Sequence, residues 1–330
     1  MEDMKNIKYS ILDLVPIVQG SNARNAFNDS IKLAQHAEKW GYYRYWIAEH
    51  HSMPGIASAA TSIVMSYVAS ATKTIRIGSG GVMLPNHSPL VIAEQFGTLE
   101  AMFPNRIDLG LGRAPRTNPA TAKALRRTLD GDEFPVLLEE LRYFLSSETE
   151  GKQVRAIPGE GQDIPIWLLG SSDFSAILAG RLGLPFGFAS HFSPMNTLPA
   201  LKIYRDSFVA SEVLKKPHTM VAVNIFAANT KEKAQKIATS SQQQFLSLIR
   251  NTPGQMPPPV DNMDLIWNER EKMAVMSQLS NTIIGTYEEV KASMERLISS
   301  TGADEIIINT ATYDIEDRLR SYEIISKIIS

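Results

Sequence analysis

Glu49, His50 and His51 close an apolar run, Arg44–Ala48, and are the first residues of this chain with the makings of a reaction site. Side chains alternate along an extended strand, so His50 faces away from Glu49 and His51. An imidazole titrates near neutral pH and serves as a general base or a hydrogen-bond donor. Two adjacent histidines also suggest a metal, but barrel metal sites gather several His and carboxylate ligands at strand ends. The other strand-end ligands, His87, His191 and Asp13, are scattered along the chain, so no metal is expected. Gly80 and Gly81 interrupt the run Ile75–Leu84. Glycine inside a strand marks a bulge or a close approach by another group. Arg113 stands just past a second run, Ile107–Leu111, and Ser171, Ser172 and Ser175 follow a third, PIWLLG. Serines at a helix start are simple caps, or they cradle an anion, because exposed N–H groups and the helix dipole favour negative charge there.

The elements that must position these residues alternate from end to end. Apolar runs with little polar alternation occur at Tyr9–Pro16, Arg44–Ala48, Ile75–Leu84, Ile107–Leu111, Ile166–Leu169, Phe186–Ala189, Met220–Ala227 and Glu305–Asn309. They read as parallel strands covered on both faces. Helical periodicity falls between them, as in Phe27, Ile31, Ala34, Ala37 and Trp40. Ser88 followed by Pro89 starts another helix, with proline in its first turn. Eight such alternations predict an α/β fold, a (β/α)8 TIM barrel, as a single domain. Such barrels typically need about 250 residues. The remainder is expected in two insertions, near 115–163 and 251–286. The second opens with a proline cluster and is expected to be a mobile lid containing a short helix, Met273–Leu279. Met83, Met195 and Met220 read as core fillers.

Composition bounds the function classes. Net charge is −2, so nothing points to nucleic acid. The chain has no cysteine, which excludes disulfides and thiolate chemistry. The N-terminal MEDMKNIKYS is acidic and polar, unlike a signal peptide, and no apolar run is long enough to span a membrane. A cytoplasmic location is expected.

Four stretches, in order, resemble the bacterial luciferase-like flavin-dependent monooxygenases, and are most similar to the single-chain, alkanal-monooxygenase-like branch. They are WIAEHH (46–51), GSGGVMLPNHSPLVIAEQFGTLEAMFPNRIDLGLGRAP (78–115), PIWLLGSSDFSAILAGRLGLPFGFASHF (165–192) and TGADEIIINT (301–310). The resemblance implies reduced FMN and O2 acting on a small, largely apolar organic substrate such as an aldehyde or ketone. No dinucleotide fingerprint follows a strand, so reduced FMN is expected from a separate flavin reductase. By the resemblance, His50 lies at the reactive edge of the flavin as the catalytic residue. Gly80 and Gly81 form a non-proline cis peptide against the flavin ring. Arg113 with Ser171, Ser172 and Ser175 binds the FMN phosphate, and Asn86 and His191 stand at the pocket wall. The resemblance also implies a homodimer through residues 58–72 and 88–103. This chain departs from some luciferase subunits in having Gly112 where they carry cysteine. Three alternatives stay open: hydride transfer with the deazaflavin F420, a metal-dependent barrel hydrolase, and a non-catalytic flavin-binding barrel.

Overall fold

The computed structural model describes residues 4, 6–113, 119–125 and 133–329. Eight parallel strands close into a barrel: β1 (Lys8–Asp13), β2 (Arg44–Ile47), β3 (Arg76–Ser79), β5 (Ile107–Gly112), β6 (Ile166–Gly170), β7 (Phe186–Phe188), β8 (Thr219–Ala227) and β10 (Glu305–Asn309). β10 closes the ring by pairing with both β8 and β1. These strands match the eight apolar runs. Two short strands sit off the ring: β4 (Val82–Met83) pairs with β5, and β9 (Ile283–Gly285) pairs with the end of β8. The run Ile75–Leu84, expected as one strand, is therefore two, divided at Gly80–Gly81.

Helices cover the barrel outside. The ones that matter for the site are α1 (Ala23–Lys39), α2 (Thr61–Ser70), α3 (Pro89–Met102) and, further along, the helix Asp173–Leu182. α3 starts as read, with Ser88 at the N-cap and proline in the first turn, although the Ser88 side chain makes no capping bond. Strand alternation divides the apolar residues in two. Tyr45 and Ile47 join the large core between strands and helices, whereas Trp46 and Ala48 point inward with Leu12, Trp167, Met220, Ala222 and Ile307. Met220 is thus core, as expected, but Met195 is 79% exposed. It stands in the short turn Pro194–Asn196, which packs no residue inward.

The amino-terminal end of the barrel is plugged by charge. Arg44 pairs with Asp108 at 2.6 Å and Glu305 at 3.0 Å, and Arg76 pairs with Asp108 at 2.6 Å. His218 Nε2 lies 3.0 Å from Glu305. A balanced network of this kind tolerates burial because each charge has a partner. It leaves the opposite, carboxyl-terminal mouth for ligands.

Of the first insertion, residues 115–118 and 126–132 lie outside the described residues, and its helix Phe134–Leu145 packs where the sequence put it. The second insertion is tied down. Met256 is fully buried and exchanges backbone bonds with Ile17 and Gln19 in the loop after β1. Met263, Trp267, Val275 and Leu279 pack with Leu246 into a small core of their own. Its helix runs Glu269–Gln278, four residues earlier than the start expected, because Asn268 and Glu271 form a reciprocal capping box.

Candidate functional site

At the carboxyl-terminal mouth, the alternation of β2 carries past its end. Trp46 and Ala48 face inward, so His50 does too, while Glu49 turns outward. His50 is half-buried and its Nδ1 is buried without a hydrogen-bond partner. Burial pushes its pKa below the ordinary histidine value, with Glu49 and a bond to the Ala48 backbone pulling it back up and His51 pushing it down. The ring is therefore neutral at neutral pH and free to accept a proton or a hydrogen bond.

His191, just past β7, comes to the same place. Its Nδ1 is also buried and unpartnered. Burial first, and then the neighbouring His50, push its pKa down to about 4. Two asparagines hold the loop that carries it. Asn224 donates from Nδ2 to the His191 carbonyl at 2.8 Å, and Asn309 donates to Asn224 Oδ1 at 2.8 Å. Sequence reasoning missed this pair. The signal was there: Asn224 and Asn309 are amides at inward positions of otherwise apolar strands.

The Gly80–Gly81 peptide is cis, as the resemblance implied. A Cβ on Gly80 would lie 2.7 Å from Leu12 Cδ1, and one on Gly81 would lie 2.7 Å from the Gly110 carbonyl oxygen. Gly81 requires glycine because its neighbour is backbone, whereas at Gly80 the Leu12 methyl would have to give way. At Gly112 a Cβ would meet Met83 Cε at 2.6 Å, so the Met83 thioether fills the space that a cysteine side chain would occupy.

Glu49 organises the residues around this turn. Its carboxylate accepts from His51 Nε2 at 2.7 Å, His87 Nε2 at 2.9 Å, Asn86 Nδ2 at 2.8 Å and the Met83 backbone N–H at 3.0 Å. It is only 4% exposed. Burial raises its pKa, but the bonds from His51 and His87 outweigh that and hold it at about 2. The donor atoms of Glu49, His51 and His87 lie within 4.8 Å of one another, a composition that could hold a cation. Both carboxylate oxygens are, however, already taken by N–H donors, so the cluster reads as a hydrogen-bonded hub. His87, thought scattered, belongs to it. Asp13 does not: it faces the helices and pairs with the buried Arg318 at 2.7 Å.

Arg113 comes beside the start of the helix that the serines precede and open. Arg113 follows β5, and its guanidinium stacks over the Phe174 ring, 4.1 Å from the centroid. Phe174 is in the first turn of the helix Asp173–Leu182. Ser172 is the N-cap of that helix, with extended backbone and no side-chain capping bond. Ser175 is buried against Gly170, where a Cβ would come within 2.6 Å of the serine Cβ. Gly170 thus lets the helix start sit close to β6. The Ser171 carbonyl accepts from Ser193 Oγ at 3.2 Å. Asp173 already places one carboxylate in the first turn. An anion bound there therefore needs the cation that Arg113 supplies.

Comparison with known proteins places this architecture. The family model for luciferase-like monooxygenases matches residues 7–305, and the chain belongs to that family. It is 51% identical over 322 residues to a luciferase-like monooxygenase of Escherichia coli K12, covering 97% of this chain and 96% of that one. It is 33% identical over 330 residues to an N-acetyl-S-alkylcysteine monooxygenase of Bacillus subtilis, covering 98% of each. Among solved structures, apo-MsnO8 superposes with a TM-score of 0.87 at 31% identity, over 98% of both chains. The fold alone is shared, at TM-score 0.73 and 19% identity, with the oxygenating constituent of 3,6-diketocamphane monooxygenase of Pseudomonas putida in complex with FMN, over 98% of both chains. It is likewise shared, at TM-score 0.68 and 14% identity, with an F420-dependent secondary alcohol dehydrogenase, over 98% of this chain and 99% of that one.

Proposed function

We propose that this enzyme binds reduced FMN at the carboxyl-terminal mouth and uses it with O2 to oxygenate a small, largely apolar organic substrate. The observation that carries this reading is the stacked Arg113 guanidinium beside the uncapped start of the helix Asp173–Leu182. Cation, free backbone N–H groups and Ser172 suit a terminal phosphate. Gly80 and Gly81 carry no side chain, and a Cβ on either would meet the barrel wall behind the turn; bare backbone of this kind suits an aromatic ring system. His50, with its buried free nitrogen, fits a group that moves a proton at the reacting edge. When bound, the flavin supplies the oxygen chemistry, and the protein orients it and excludes water. A carbonyl carbon is one acceptor for that oxygen. A thioether sulfur is another, since a relative at 33% identity is named for S-alkylcysteine chemistry.

F420 is the second reading, favoured by the F420-dependent enzyme that shares the fold. Titration of the full chain with FMN, riboflavin and F420, followed by flavin fluorescence and visible absorption, separates the two. FMN binding well above riboflavin supports the phosphate site; tight F420 with weak FMN overturns it. Turnover is then measured with FMNH2 from an added flavin reductase, on aldehydes, ketones and S-alkyl thioethers. Our reading includes that separate reductase as partner and a cytoplasmic location. Among the described residues no helix is long and apolar enough to cross a membrane. It also includes a homodimer through α2 and α3, whose outer faces expose Ile63, Tyr67, Val91 and Met102 beside a groove of about 400 Å³.

A further inference from the structure

We infer that Glu49 is a positioning residue that locks the glycine turn at Gly80–Gly81 to the strand end bearing His50, fixing the flavin surface and the imidazole relative to each other. This rests on the flavin reading above. The bonds run on both sides of the turn. The Gly80 N–H donates to the Ile47 carbonyl at 2.8 Å, and the Glu49 N–H donates to the Gly81 carbonyl at 3.2 Å. Beyond the turn, the Glu49 carboxylate collects the N–H of Met83, the Asn86 amide and His87. On its own strand end it holds His51. Residues 80–87 are thus gripped by residues 47–51 at several points, and one buried carboxylate makes most of the grip.

Besides the bonds of the Glu49 carboxylate, the turn is held by the two backbone bonds of Gly80 and Gly81 and by the buried Val82 and Leu84. β4 is two residues long and pairs with β5 alone, not with the β2 end. Four donors pointing at one side chain require an acceptor with lone pairs on both oxygens, which is an ionised carboxylate. Charge-assisted bonds are also shorter and stronger than neutral ones. An amide in its place turns one acceptor into a donor and sets it against the N–H groups already there. The hydrogen-bonded frame then opens at the turn, next to His50, without removing any group that touches flavin or substrate.

The test compares the parent chain with Glu49→Gln, Glu49→Asp and, because Glu49→Gln removes a buried charge, the milder His87→Asn. Three quantities are read: amide hydrogen exchange at Met83, FMN affinity, and the visible spectrum of bound FMN. In Glu49→Gln we expect Met83 exchange to rise at least tenfold, FMN affinity to fall at least tenfold and the bound-FMN spectrum to shift towards that of free FMN. Glu49→Asp should recover part of each, and His87→Asn should move each by a smaller factor in the same direction. Loosened Met83 exchange with parental FMN affinity and spectrum overturns the proposal, as does unchanged exchange. If Glu49→Gln does not fold, the same outcomes are read from His87→Asn. A parent chain that binds no FMN overturns the flavin reading and this inference together. That failure is seen in the parent alone, so it is distinct from failure of the Glu49 role.

Discussion

The Arg113 guanidinium lies over the Phe174 ring, 4.1 Å from its centroid, and joins the end of β5 to the helix that follows β6. A stacked cation of this kind gains roughly 0.5–2 kcal/mol and loses rotamer freedom before any ligand arrives. Phe174→Leu should therefore weaken FMN about threefold to tenfold by loosening Arg113. Arg113→Ala should weaken it about tenfold to a hundredfold, the worth of a charge-assisted bond. Riboflavin, which lacks the phosphate, should bind both variants as it binds the parent. Equal losses for FMN and riboflavin would remove Arg113 from the phosphate site.

A pair of charges on the exposed helical face should dissociate the expected homodimer. Ile63 is 69% exposed and Met102 is 55% exposed, so neither supports the barrel core. On our reading this exposed apolar face is the association surface. Sedimentation of the parent at micromolar concentration should give a dimer, and Ile63→Glu with Met102→Glu should give a folded monomer with a similar Tm. A monomeric parent would end the dimer reading.

Stability should fall as the solution is acidified from neutrality. His191 has a folded pKa of about 4 against an ordinary value of 6.5. The unfolded chain therefore binds more protons between those values, and unfolding gains as pH falls. This contribution is complete above about 6.5 and is gone by about 4. A displacement of that size corresponds to about 3 kcal/mol. Glu49 acts lower down. Its pKa is depressed from 4.5 to about 2, so its contribution is lost only below 4.5. Urea titrations at pH 7, 5.5 and 4.5 should therefore lose stability progressively in the parent and less in His191→Asn. Equal slopes in the two chains would refute the buried, neutral His191.

The barrel was legible because its strands are buried on both faces and read as unbroken apolar runs, from Tyr9 to Asn309. β9 was not, since Ile283 and Ile284 are too short a run to stand out from the polar segment around them. That His50 faces away from Glu49 followed from counting along β2. What counting could not supply was distance. Glu49 and His87 are 38 positions apart and meet only because β2 and β3 are neighbours with their ends in register. Asn224 and Asn309 meet for the same reason, across β8 and β10. The glycine pair announced a special backbone at 80–81, and only the resemblance pointed to a cis peptide there. In the second insertion the prolines argue against regular structure, but they do not prevent the anchoring that Met256 provides.

The remaining prediction separates chemistry from folding at His50. The side chain stands at the carboxyl end of a barrel strand, where catalytic residues collect. Its Nδ1 makes no hydrogen bond among the described residues, so removing the ring loses no more than its bond to the Ala48 backbone. Burial already disfavours its charged form, so the ring adds no stabilising ion pair. His50→Ala should therefore keep the parent's FMN affinity within a few-fold and lower stability by no more than about 1 kcal/mol. Turnover, once an oxidisable substrate is found, should fall about 10²–10⁴-fold, the usual worth of a general acid or base. The loss should appear in kcat and kcat/KM alike, because the interaction belongs to the transition state. A variant that melts several degrees early yet turns over at the parental rate when folded would make His50 a structural residue.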